Sequence, residues 1–73
     1  MDFWTVTEIQ MLANGAIASQ TFDRQSYNDA LSVYYSSLSA GAINGIPYHA
    51  TYLIDCNRGV KMFNIYDRRE NNG

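Results

Sequence analysis

The chain has 73 residues, a net charge of −2, one cysteine and one histidine. This length fits one domain, and the acidic balance argues against an extended nucleic-acid surface, which is usually basic. One cysteine cannot form an internal disulfide, and with one histidine it falls short of the four ligands of a structural zinc site. We therefore expect a single domain over residues 1–70, a flexible C-terminal tail over 71–73, and no metal or cofactor.

The first third of the chain predicts a β-hairpin. Residues 3–12 (FWTVTEIQML) are rich in β-branched and aromatic side chains, which favour a strand. They lead into Asn14-Gly15, a strong signal for a tight hairpin turn. A second strand is predicted over residues 16–22.

A helix is predicted to begin after Ser26. Asp29 follows Ser26 at the spacing of a capping box, and Gly45 and Pro47 mark the end of the helix. Successive residues of an α-helix are rotated by about 100°, which places apolar and small side chains on one stripe of this helix. The small side chains allow the helix backbone to approach a sheet closely. The stripe consists of Tyr27, Ala30, Leu31, Tyr34, Leu38, Gly41 and Ala42.

Two further strands are predicted over residues 48–54 and 60–67, around the turn Asp55–Gly59. The expected fold is therefore α+β, a four-stranded, mainly antiparallel sheet with one helix on one face, in the order ββαββ. Alternate residues of the third strand share a face. We expect the helix to cover Tyr48, Ala50, Tyr52 and Ile54, and not the set that contains His49 and Leu53.

A family resemblance is carried by residues 26–59. It consists of Ala30, the pair Tyr34-Tyr35, Leu38 with the small run 39–42, and then the strand start Pro47-Tyr48-His49-Ala50. This succession resembles a group of small uncharacterised proteins from phages and prophages of Gram-positive bacteria. The resemblance implies a phage or mobile-element origin and a ββαββ arrangement, but no activity. The group often has histidine where this chain has Tyr35, and another after the last strand.

The lone histidine and the lone cysteine do not predict a catalytic pair. His49 and Cys56 are seven positions apart, so on a continuing strand they lie some 20 Å apart on opposite faces. An acid–base role for His49 would need a residue of the first hairpin, such as Glu8 or Thr7, brought alongside by strand pairing. We expect no catalytic residues, and keep a small enzyme centred on His49 as an alternative.

The aromatic content favours an interaction protein. Aromatic residues make up 14% of the chain, and one helix can cover only one face of the sheet. The other face is expected to form a homo-oligomeric interface, with a dimer favoured and a further protein partner left unspecified. The residues expected at this interface are Leu53, Phe63, Ile65 and His49.

A nucleic-acid-binding domain is a second alternative, because four of the five basic residues lie in the last sixteen positions. They are Arg58, Lys61, Arg68 and Arg69.

Residues 30–54 lack charged side chains, but polar residues and a Gly-Ile-Pro break argue against a membrane helix. No signal peptide is recognisable, so a cytoplasmic location is expected.

Overall fold

The fold is one four-stranded sheet with one helix, in the predicted order ββαββ. The computed structural model describes residues 3–69, so the predicted tail over 71–73 lies outside the described residues. The elements are β1 (Trp4–Met11), β2 (Ile17–Arg24), α1 (Tyr27–Ile43), β3 (Tyr48–Ile54) and β4 (Val60–Asp67). The strands lie in the order β2-β1-β3-β4, and every pairing is antiparallel. The predicted α+β class is confirmed.

Local signals account for the boundaries of these elements. Gly15 has φ +88° in the hairpin turn, where the Asn14 side chain accepts a hydrogen bond from the Ala16 amide at 2.9 Å. The Ser26 hydroxyl accepts from the Asp29 amide at 3.1 Å and caps the start of α1. Gly45, with φ +68°, follows the last helical turn, as expected for a residue that ends a helix in the left-handed conformation.

The core lies between α1 and one face of the sheet. Ala30, Tyr34, Ser37 and Gly41 are the buried residues of the helix. The predicted stripe therefore faces the sheet as expected over most of its length. Its members Tyr27 and Ala42 are exposed, and the buried Ser37 is absent from the prediction. Burial raises the pKa of the Tyr34 phenol, and the neighbouring phenols of Tyr35 and Tyr66 raise it further. The sheet contributes mainly Val6 and Leu53, both fully buried.

The face of β3 that meets the helix is opposite to the predicted one. His49, Thr51 and Leu53 are fully buried beneath α1, which leaves Tyr48, Ala50, Tyr52 and Ile54 on the far face. The prediction that Leu53 and His49 lie at an open interface is therefore wrong, as is the predicted contact of Ala50 with the helix. Apolar residues occupy both faces of β3, so alternation alone does not select one. In the observed arrangement, the face of β3 that contains Thr51 meets the helix, and Thr51 forms a hydrogen bond with Ser37 of α1.

No helix within residues 3–69 is long and apolar enough to cross a membrane. That part of the chain also contains no group of three or more histidine, cysteine, aspartate or glutamate residues placed to hold a metal ion.

Candidate functional site

The sheet face turned away from α1, called the open face below, carries a continuous apolar region. The strand register aligns Ile9, Ala50 and Ile65 in one row across β1, β3 and β4. Thr7, Tyr52 and Phe63 form the next row. The β2 side of the same face is polar at Ser19, Thr21 and Asp23, with Ile17, 62% exposed, at the start of the strand. The apolar part of the open face thus lies mainly over β3 and β4.

Several apolar side chains of this region are in contact with solvent. Phe63 is 62% exposed, Val60 58% and Ile65 39%. The rings of Tyr52 and Phe63 are stacked with centroids 6.0 Å apart, so Phe63 is held in place although it is exposed. Of the four residues predicted for an interface, Phe63 and Ile65 lie on the open face. Tyr48 and Tyr52 belong to it in place of Leu53 and His49.

An ion pair borders the open face at the end of β4. The Arg69 guanidinium donates to both carboxylate oxygens of Asp67, at 2.9 and 2.7 Å. These hydrogen bonds lower the pKa of Asp67 to about 2. The same guanidinium lies over the ring of Tyr48, 4.8 Å from its centroid. Arg69 is thereby fixed at the rim by three side-chain contacts.

A second feature, called the polar cluster below, is buried on the helix side of the sheet. Glu8 Oε2 accepts hydrogen bonds from Ser37 Oγ at 2.5 Å and from His49 Nε2 at 3.1 Å. Ser37 Oγ lies 2.8 Å from Thr51 Oγ1. The predicted possibility that strand pairing brings Glu8 to His49 is confirmed by this contact. Thr7, the other partner considered, lies on the open face in register with Tyr52.

The hydrogen bonds of the polar cluster can be given directions. A serine hydroxyl has one proton, so when Ser37 donates to Glu8 it must accept from Thr51. Glu8 also accepts from Gln10 through Oε1 at 3.1 Å. Three donors therefore point toward the Glu8 carboxylate, as expected for a polar group held in a partly buried site.

His49 is tightly packed between α1 and the sheet. Its ring is fully buried, and among residues 3–69 its Nδ1 atom has no hydrogen-bond partner. A Cβ atom built on Gly41 would lie only 2.4 Å from that nitrogen. The absence of a side chain at Gly41 is what allows the helix to pass over the imidazole.

The chemistry that the polar cluster supports differs from that of a nucleophilic triad. In such a triad the histidine lies between the serine and the acid and removes the serine proton. Here Glu8 lies between Ser37 and His49, and the serine donates to the acid. The arrangement holds a carboxylate in place and links α1, β1 and β3.

The basic residues of the C-terminal third lie in separate places. Arg68 reaches across to α1 and donates to the carbonyl oxygens of Gly41 and Ala42 at 2.8 and 3.2 Å, completing the C-terminal end of the helix. Arg69 lies on the other face of the sheet. Arg58, which donates to Thr5 Oγ1 at 2.9 Å, and Lys61 lie at the opposite end of β4, roughly 25 Å away for a strand of this length. The four residues do not form one continuous surface.

Cys56 lies in the turn between β3 and β4, half-buried and with a free thiol. The turn is held by the Asp55 carboxylate, which accepts from the amides of Asn57 and Gly59, each at 2.9 Å. Arg58 there has φ +68°, the left-handed conformation. The turn lies at the opposite end of β3 from His49, in keeping with the prediction that the two residues do not form a pair.

Ser37 is the residue of this region that sequence reasoning missed. It is absent from the predicted stripe, although its position continues the spacing of Ala30, Tyr34 and Gly41 along one helix face. That spacing is the signal that could have identified it. In a buried position its hydroxyl requires polar partners, and these are Glu8 and Thr51.

Comparison of the chain with protein-family models, with curated proteins and with solved structures gave no match.

Proposed function

We propose that the protein is a non-enzymatic interaction protein that forms a homodimer through the apolar part of its open face. The observation that carries the proposal is the uncovered row of side chains on β3 and β4, above all Phe63, which is 62% exposed. Among the described residues, no element packs on this side of the sheet. Exposed apolar regions of this kind are typical of interaction sites.

The size of the open face suits a second copy of the same chain. Strands about 4.8 Å apart and roughly 26 Å long give a four-stranded face of about 500 Å². Two such faces in full contact would bury about 1,000 Å², near the lower limit for a specific interface, whereas the β3–β4 halves alone would bury about 500 Å², the size of a weak, transient contact. A twofold axis that pairs the β3–β4 half of one copy with the same half of its partner would leave the polar β2 side in solvent.

The energy available indicates a reversible dimer. Val60, Phe63 and Ile65 are about half exposed, so completing their burial is worth about 1–1.5 kcal/mol each. Both copies together gain about 6–9 kcal/mol, whereas association costs at least about 4 kcal/mol of lost freedom. A net gain of at most about 5 kcal/mol corresponds to a dissociation constant of about 200 micromolar or more, so dimerisation is expected at hundreds of micromolar and above. We expect the protein to act in the cytoplasm of a host cell, in keeping with the resemblance to phage and prophage proteins.

Sedimentation equilibrium from tens of micromolar to hundreds of micromolar and above tests the proposal. The weight-average mass should rise from 8.3 kDa toward twice that value as concentration increases. Phe63→Ser should keep the protein monomeric over the whole range. Ile43→Ser is the matched control, because Ile43 is 85% exposed at the end of α1, away from the open face. A mass of one chain at every concentration would refute the proposal.

A further inference from the structure

A cleft between α1 and β2 lies on the helix side of the sheet, away from the open face. Its volume is about 360 Å³, within the range of about 300–1,000 Å³ typical of small-molecule sites. Phe22 and Val33 provide apolar walls, and Ser36 adds a hydroxyl group from the helix. The charged groups that line the cleft are Glu8 and Arg24.

Glu8 presents a fixed acceptor to this cleft. Its side chain is 11% exposed, and Ser37, His49 and Gln10 hold its carboxylate in place. An ionised carboxylate offers about four acceptor positions, so one remains after these three hydrogen bonds. Within residues 3–69 no lysine or arginine forms an ion pair with Glu8, and its one ion-pair contact is with His49. A ligand ammonium group can bind at the remaining acceptor position.

Arg24 presents the opposite charge. Its Nη1 atom donates to the backbone carbonyl of Asp23 at 2.8 Å, and the described part of the chain gives it no salt bridge. The remaining N–H groups of the guanidinium can bind a carboxylate through two parallel hydrogen bonds. The cleft is thus lined by one acidic side chain, Glu8, and one positively charged side chain, Arg24, with the Phe22 ring as an apolar wall.

The spacing of the two charges selects the ligand. Glu8 pairs with Gln20, and Arg24 lies four residues further along β2, so the two backbone positions are roughly 14 Å apart. The side chains shorten the distance that a ligand must span. The ammonium and carboxylate groups of a free amino acid lie too close together, whereas a peptide of two or three residues separates them by roughly 7–10 Å.

We propose that this cleft binds a short peptide with free termini, its ammonium group at Glu8 and its carboxylate at Arg24. An apolar side chain in the middle of the peptide packs on Phe22 and Val33. This site is independent of the open face, so it can bind its ligand in a monomer or in a dimer.

A titration of the ¹⁵N-labelled protein with the tripeptide Ala-Leu-Ala, followed by NMR, tests the proposal. Amide shifts should change along residues 20–24 and 32–40 and saturate in the millimolar range or below. The N-acetylated and the C-amidated peptide should each bind at least about ten-fold more weakly, because each lacks one charge-assisted contact. Blocking the N-terminus tests Glu8 without a substitution that would disturb the polar cluster.

The Arg24 contact is tested by a paired comparison. Arg24→Gln should weaken binding of the free tripeptide about ten-fold or more, and C-amidation should then have no further effect. Lys61→Gln, which removes one positive charge on β4 at the opposite edge of the sheet from β2, should leave binding unchanged. No shift at 10 mM peptide, shifts outside the cleft, or equal binding of blocked and free peptides would each overturn the proposal.

Discussion

Replacement of Gly41 by alanine should destabilise the protein, although alanine is the better helix former. In an open helical position the change would stabilise by about 1 kcal/mol. Here the new Cβ would lie 2.4 Å from Nδ1 of His49 and 2.8 Å from two ring carbons. The ring is fully buried and bonded to Glu8, so either it moves and loses that hydrogen bond or the helix is displaced. Overpacking of this kind costs about 1–3 kcal/mol, and loss of the buried hydrogen bond adds about 1–3 kcal/mol.

Urea denaturation followed by circular dichroism measures this effect, and a double-mutant cycle identifies its cause. We expect Gly41→Ala to lower the free energy of unfolding by about 1–5 kcal/mol after the gain in helix propensity is included. In a His49→Ala background the added methyl group meets no ring, so the same change should be neutral or stabilising. An equal cost in both backgrounds, or no cost in the parent protein, would refute the assigned contact.

Three further changes test other contacts. Ser37→Ala should destabilise by about 1–3 kcal/mol, because Glu8 and Thr51 each lose a hydrogen bond, whereas Ser36→Ala, at an exposed neighbouring position, should change stability by less than about 0.5 kcal/mol in the same denaturation assay. Because the folded protein raises the pKa of Tyr34, the protonated phenol contributes to stability at pH values below the unfolded pKa near 10, and this contribution is lost as pH rises through the folded pKa. In an absorbance titration, Tyr34→Phe should lack the phenol that titrates last in the parent protein. The lowered pKa of Asp67, about 2, means that the contribution of its pair with Arg69 is present above the unfolded value near 3.8 and is lost as pH falls toward 2; Asp67→Asn should reduce the acid dependence of unfolding in that window.

The elements were predictable because their signals are local. The Asn14-Gly15 turn, the Ser26 cap and the stop at Gly45 each depend on residues within a few positions, and each is present in the structure. The third and fourth strands have the predicted bounds, 48–54 and 60–67. Short-range backbone preferences are sufficient to fix such boundaries.

The covered face of β3 was not predictable in the same way. Alternation divides the strand into two sets, and each set contains large apolar side chains. The contacts that accompany the choice join residues far apart in sequence, Ser37 with Thr51 and Glu8 with Ser37. The position of β1 between β2 and β3, which brings Glu8 under the helix, is also a property of the whole sheet.

This error changes which residues belong to the interface. With the correct face, Tyr48 and Tyr52 replace His49 and Leu53, whereas Phe63 and Ile65 keep their place because β4 was assigned the right way round. The polar cluster shows the same dependence on long-range pairing: the possibility of a Glu8–His49 contact could be stated from the sequence, but the position of Ser37 between α1 and the sheet could not.

The most direct test of the proposed dimer is an isotope-filtered NOE experiment on a mixture of ¹³C-labelled and unlabelled protein at several hundred micromolar. This experiment detects only contacts between copies. The proposal predicts intermolecular NOEs between the ring protons of Phe63 and the methyl groups of Ile65 or Val60, which lie on the same face of β4. Intermolecular NOEs confined to α1 or to β2, or none from Phe63 at a concentration where the mass is that of a dimer, would contradict it.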